Sequence, residues 1–161
     1  SSPEKFLTIT RDGKIETRPI KGTARRFADP KRDMESRFQL ENSEKDKSEN
    51  LMIVDLMRND LSRCSEAGSV TVSKLFEVES FATVHHMDST VISQKRTECS
   101  ALDVVKSCFP PGSMTGAPKI RAMQWCADLE RMQRGVYSGA IGWFGGDGSC
   151  DLSVVIRTLV I

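Results

Sequence analysis

The sequence predicts a mixed fold of antiparallel β-hairpins with helices between them, and three observations carry that prediction. Asp12-Gly13 sits between two short alternating runs, residues 6–10 and 14–17, a strong signal for a two-residue hairpin. Asp29-Pro30 is an N-cap followed by proline at the first helical position, and Ser43 with Asp46 three residues on marks a second helix start. Near the end, Gly145-Gly146-Asp147-Gly148 separates residues 136–144 from 150–161, two runs that read as a closing hairpin.

The elements follow in order. After the first hairpin, Pro19 removes a backbone donor and ends the pairing. Residues 24–29 read as a basic, irregular link, and a mostly polar helix with Met34 and Phe38 on one face runs to about Leu40. The second helix runs to about Leu61, with Leu51, Val54 and Met57 at the spacing of a buried face. Gly68 opens a β region with short strands at 69–72 and 76–78 and a longer one at 81–93. Ser100, with Asp103 behind it, caps a short helix ending near Phe109. Residues 110–119 are irregular, and Pro118 opens a helix whose Ile120, Met123, Cys126 and Leu129 form an apolar stripe.

Bulk properties exclude several classes. A chain of 161 residues is about one domain, and 39% hydrophobic with 28% charged residues is ordinary for a soluble globular protein. A net charge of +1 gives no reason to expect nucleic acid or an anionic membrane as partner. The longest apolar runs, such as Leu51-Met52-Ile53-Val54, are far too short to span a bilayer, and no secretory signal is visible. Five cysteines with no C-x-x-C spacing fit neither a disulfide framework nor a zinc site. They read as reduced thiols in a cytosol-like compartment, and the expected location is cytoplasmic. The chain opens almost inside a strand without methionine and stops within a β-branched run, so the expectation is a piece of a longer polypeptide.

Candidate chemistry is spread along the chain. Lys21 follows a strand end and precedes Gly22, so it is either a solvated turn lysine or, if its amine is kept neutral, a nucleophile. The amides around Gly22 could bind a carboxylate. Asp46 and Glu49 project from one side of a helix about one turn apart, as a solvated acidic face or as half of a site for Mg²⁺. Alternation puts His86 on the face of Val84, Asp88 and Thr90 and His85 on the other, so one of the two histidines points inward. The glycine-rich stretch 112–119 is a structural loop or an anion site at a helix start; its spacing is not that of a Walker A loop. Arg157 lies in a run apolar on both faces, and a buried arginine needs a carboxylate from protein or substrate.

Taken together, Ser2-Pro3-Glu4, Pro19-Ile20-Lys21-Gly22-Thr23, Ser48-Glu49-Asn50-Leu51-Met52-Ile53-Val54-Asp55-Leu56-Met57-Arg58-Asn59-Asp60, Gly112-Ser113-Met114-Thr115-Gly116-Ala117-Pro118-Lys119 and Ile156-Arg157-Thr158-Leu159 occur in one order. Over essentially the whole chain they resemble the chorismate-binding domain of the chorismate-utilising enzymes. Lysine in the Pro-Ile-x-Gly-Thr motif is similar to the aminodeoxychorismate synthase branch; anthranilate and salicylate synthases typically carry alanine there.

The resemblance implies an α+β fold of large, mainly antiparallel, orthogonally packed sheets with outer helices, a four-layer α/β/β/α arrangement of which residues 1–161 form part. It implies amination of chorismate at C4, with Lys21 attacking C2 and Glu4 as acid and base. It further implies Mg²⁺ on Glu49 with Asp46 close by, Gly22 and Thr23 on the ring carboxylate, and His86 near the C4 substituent. Arg157 and Tyr137 would grip the enolpyruvyl carboxylate, and the Met114–Lys119 loop, Thr115 included, would line the pocket. The implied partner is a glutamine amidotransferase, as a subunit or a fused domain, and the implied product serves para-aminobenzoate and folate synthesis. Family members carry further N-terminal and C-terminal portions, the latter with more metal ligands, so the 161 residues alone are expected to be inactive. Alternatives are anthranilate or isochorismate synthase of the same family, a non-catalytic binding domain, or a phosphate module built on the Gly112–Lys119 loop, which binding of nucleotide in place of chorismate would distinguish.

Overall fold

The computed structural model describes residues 4–159. Strand β1 (Lys5–Ile9) pairs antiparallel with β2 (Lys14–Arg18) around a turn where Gly13 takes a φ of +82°, the left-handed value an Asp-Gly turn requires. Pro19 then interrupts the chain without ending its use of the sheet. Strand β3 (Ile20–Arg25) resumes at once, and β2 and β3 lie end to end along one edge of β5 (Val84–Gln94). Thr17 faces Val91, Ile20 faces Asp88, and between them the Pro19 carbonyl accepts a bond from the Ser89 amide at 3.2 Å. The result is one kinked strand. A register shift between Ile20 and Thr23 brackets Gly22, whose φ is +93°; a bulge of this kind re-aims the side chains beside it.

Strand β4 (Thr71–Ser80) covers the other edge of β5. The two short strands expected at 69–72 and 76–78 are thus one, bent where the register slips and Phe76 takes a φ of +56°. Strand β5 starts at Val84 rather than at residue 81. Strand β7 (Cys150–Val154) adds to β1, and β6 (Ala140–Phe144) adds to β7. All pairings are antiparallel, and the described residues form one seven-stranded sheet of the expected α+β kind.

Helix α1 (Pro30–Glu41) is capped by Asp29, whose side chain accepts from the Lys31 amide, and α2 (Glu44–Ser62) is capped by Ser43. Ile53, Val54, Met57 and Leu61 of α2 pack into the core with Leu7, Ile15 and Val91 of the sheet. Leu51, expected on that face, is 44% exposed because the buried stripe runs through Asn50 and Ile53 instead. Helix α3 (Ala101–Cys108) has the full capping box of Ser100 and Asp103. Within the stretch read as irregular, α4 (Gly112–Thr115) forms a single turn.

Two expectations fail toward the C-terminus. Helix α5 (Lys119–Leu129) follows Pro118, but it has no buried residue, and Ile120 and Leu129 of its apolar stripe are openly exposed. An amphipathic pattern states which face needs a partner, and none of the described residues covers this one. In the closing hairpin, pairing begins only at Ala140, since Ser138 takes a φ of +72° and its amide turns to the Val155 carbonyl. It ends at Val154, because the Ile156 amide folds back to the Val154 carbonyl. Arg157 is therefore neither in a strand nor buried: it is exposed, with a φ of +49°. Ser2 and Pro3 of the first motif, and Val160 and Ile161 of the expected last strand, lie outside the described residues.

Candidate active site

After Pro19, β3 continues along the edge of β5 that β2 occupies, and Lys21 stands at its start beside the bulge at Gly22. Glu4 leads into β1, the neighbour of β2, so entrance and exit of the hairpin place an acid and an amine together. A cavity of about 510 Å³ opens there, lined by Glu4, Lys21, Gly22, Thr23, His86, Tyr137 and Arg157 among others. Seven residues chosen from motifs far apart in sequence thus face one space.

Their electrostatics differ. Glu4 is buried, and burial pushes its carboxyl above the usual value; the Ser113 hydroxyl, the Lys21 charge, the Ile20 amide and the Arg157 charge each pull it back. A carboxyl held up by burial but surrounded by donors can hold and release a proton near a substrate. His86 is half-buried and stacks against Phe81 with ring centroids 5.3 Å apart. Burial first, and then the charge of Arg157, lower its pKa against the opposing pull of Asp88, which favours the neutral imidazole. His85 is the inward histidine. It is 1% exposed, meets Ser80 Oγ at 2.8 Å and reaches Asp33 at 3.2 Å, tying α1 to the sheet. Arg26 and the Phe27 amide, with His85, hold Asp33 down at about 2.

Arg157 and Tyr137 enter from the C-terminal side. The Arg134 guanidinium lies 5.8 Å from the Tyr137 ring and donates to the Met114 carbonyl at 2.9 Å and to Ser138 Oγ at 3.0 Å. It thereby fixes one wall of the cavity to the α4 turn. Ser113 and Met114 of that turn line the same cavity. Ser113 was not legible as a site residue, because a serine in a glycine-rich loop carries no sign of which carboxyl it will meet.

Thr115 falls elsewhere. Its hydroxyl bonds the Gly112 and Gly116 carbonyls, and it lines an adjoining cavity of about 560 Å³ with Phe109, Met123 and Cys126. That space is the larger, but its walls are mostly apolar and its Arg134 and Glu130 are paired with each other. It brings no acid and amine together, as the cavity at Lys21 does.

The two carboxylates read as metal ligands stand on the first turns of α2. Asp46 is half-buried directly behind Gly22: a Cβ there would lie 3.0 Å from the Asp46 Cβ. Glu49 is exposed and 3.9 Å from Lys45. Among the described residues no three His, Cys, Asp or Glu side chains gather into a metal-holding group. Two hard oxygen donors a turn apart still suit Mg²⁺, which is commonly held by one or two carboxylates with water and substrate completing its shell. Cys108 is buried, and burial pushes its thiol up to about 12, which keeps it from acting as a thiolate.

Lys119, the cation of the glycine-rich loop, faces away from any anion at the helix start. Its Nζ bonds Asp60 Oδ2 at 2.5 Å and the Cys108 carbonyl at 2.8 Å. The phosphate-module alternative loses its main cation.

An antiparallel α+β frame with an amine, a buried acid and an arginine around one cavity matches a known class over its whole length. The model of the chorismate binding enzymes matches residues 1–161, and the chain belongs to that family. It is 55% identical over 161 residues to an aminodeoxychorismate synthase of Streptomyces griseus, all of the chain but 22% of that protein. It is 51% identical over 158 residues to aminodeoxychorismate synthase component 1 of Klebsiella aerogenes, 98% of the chain and 35% of that protein. In structure it resembles anthranilate synthase component I of Streptococcus pneumoniae TIGR4, with a TM-score of 0.85 and 40% identity over 97% of this chain and 34% of the other. The chain thus spans well under half the length of these relatives. Among the described residues no helix is long and apolar enough to cross a membrane.

Proposed function

We propose that this chain is the chorismate-holding part of an aminodeoxychorismate synthase, which replaces the C4 hydroxyl of chorismate by an amine for para-aminobenzoate and folate synthesis. The observation that carries this reading is Lys21 facing the same cavity as buried Glu4. Where relatives of other specificity are expected to carry alanine, an amine here permits covalent catalysis.

In the proposed first step the Lys21 Nζ electron pair forms a bond to C2 and both ring double bonds move one position. The C4–O bond breaks, and Glu4 gives its proton to the departing hydroxyl, which leaves as water. Ammonia then bonds to C4, the double bonds return, the C2–N bond breaks with its electron pair leaving on Lys21 Nζ, and the new C4 ammonium returns a proton to Glu4, so both residues are regenerated. Dividing one hard displacement in two is what a covalent intermediate offers. Gly22 and Thr23 orient the ring carboxylate through backbone amides, Arg157 with Tyr137 holds the enolpyruvyl carboxylate, and neutral His86 stands at the C4 side. Asp46 and Glu49 would hold Mg²⁺, which when bound neutralises carboxylate charge. The partner supplying ammonia is a glutamine amidotransferase, separate or fused, and the expected compartment is the cytoplasm.

The test is product identification by mass spectrometry on the full polypeptide containing this chain, given chorismate, Mg²⁺ and ammonium salt, beside its Lys21→Ala variant. The expected product is 4-amino-4-deoxychorismate, with no lysine adduct in the variant. Anthranilate or isochorismate as product would overturn the reading.

A further inference from the structure

Asp60 is a carboxylate almost wholly buried on α2, 1% exposed, and its partner comes from 59 residues away. Lys119 reaches it from the first residue of α5 with its own side chain 12% exposed. The same Nζ takes the carbonyl of Cys108 at the end of α3. One ammonium therefore ties to α2 both the end of α3 and the start of α5, the two points that bound residues 109–118.

The enclosed segment is the one that delivers Ser113 to Glu4. Its seat on α2 is tight at a second place: a Cβ on Gly112 would come 2.6 Å from Leu56 Cδ2, so the backbone rests on that side chain. Arg134 holds the Met114 carbonyl from the opposite side. Ser113 and Met114 line the cavity with Glu4, whereas Asp60, Lys119, Cys108, Leu56, Gly112 and Arg134 do not.

We infer that Asp60 and Lys119 are a positioning pair, a latch that seats residues 109–118 on α2 and so fixes the Ser113 hydroxyl against Glu4. Their contribution to turnover runs through Ser113. This rests on Glu4 acting as the acid, yet it does not depend on which product is made. A buried ion pair suits such registry, since it contributes little net stability but is strict about geometry. Small displacements of a positioned group reduce turnover strongly while leaving remote binding contacts in place.

The experiment measures consumption of chorismate by the full polypeptide, whatever the product, in four forms: unaltered, Lys119→Gln, Ser113→Ala and the double variant. Lys119→Gln is expected to lower kcat about tenfold with KM changed less than about twofold, as loss of orientation does. In the Ser113→Ala background the same change is expected to cost less than about threefold, the non-additivity of groups acting as one unit. Equal costs in both backgrounds would overturn the inference, as would a loss seen only in KM. Should Lys119→Gln not fold, Asp60→Asn with Lys119→Gln removes both charges and leaves a neutral hydrogen-bonding pair. That form must show the same dependence on Ser113 or the inference falls. Product identity, read on the same samples, tests the amination reading separately.

Discussion

At the scale of single residues, Glu4 is the group whose proton matters most. Burial raises its pKa and the Ser113 hydroxyl lowers it, by bonding the charged form. On the proposed mechanism Glu4 must be protonated to act, so turnover is expected to fall as pH rises through the Glu4 pKa. Ser113→Ala removes a donor to the carboxylate, and the falling limb of the kcat–pH profile should move to higher pH. A limb that stays or moves down would show that another group titrates. Glu4→Gln should lower kcat by about 10²-fold or more, the usual contribution of a positioned proton donor. The same shift has a stability side. With the folded pKa above the unfolded one, Glu4's contribution is full below the unfolded value, 4.5, and is lost as pH rises through the folded pKa. Chemical denaturation of the Gln variant should therefore show its stability relative to the unaltered protein improving as pH rises through that window.

At the scale of elements, the kinked β2–β3 strand decides where the amine stands. Gly22 has a φ of +93°, and a Cβ there would meet Leu40 Cδ1 at 2.9 Å and the Asp46 Cβ at 3.0 Å. Gly22→Ala should therefore lower stability by about 1–3 kcal/mol through strain and crowding, read as a lower urea midpoint with an unchanged slope. An unchanged midpoint would mean that the bulge relaxes without cost. Local signals of this kind were what the sequence made legible. The Asp12-Gly13 turn, the Asp29-Pro30 and Ser43 helix starts and the Ser100–Asp103 box depend on residues within one turn of each other. The misplaced elements depend on partners. Strands 69–72 and 76–78 merge because β5 offers one continuous edge, and Leu51 faces out because the sheet selects the neighbouring stripe. The site followed the same division. The resemblance named Lys21, Glu4, His86, Tyr137 and Arg157, which line one cavity, but the Ser113 contact and the destination of Lys119 arise only from folding. Thr115 shows the limit, for it shares a motif with Ser113 yet faces the adjoining cavity.

At the scale of the whole molecule, apolar surface is left open on one side. Ile141, Trp143 and Phe144 of β6 are 66%, 55% and 47% exposed, on a strand that among the described residues is paired on one edge only. An unpaired strand edge with apolar side chains is a template for association. The 161-residue chain by itself should self-associate as its concentration rises, measured by sedimentation velocity, and Trp143→Lys should reduce that association. A monomer at every concentration would refute this account of the surface.

The two adjacent histidines, one locked between Ser80 and Asp33 and one at the cavity, also give the protein a built-in optical bench in spectroscopic terms. They are the only histidines in the chain. The ring of His85 is shielded from solvent between Ser80 and Asp33, so its nuclear magnetic resonance signals are expected to serve as an internal standard. Those of His86 respond to whatever enters beside it. Occupancy of the cavity can thus be followed without a label, an introduced reporter or turnover.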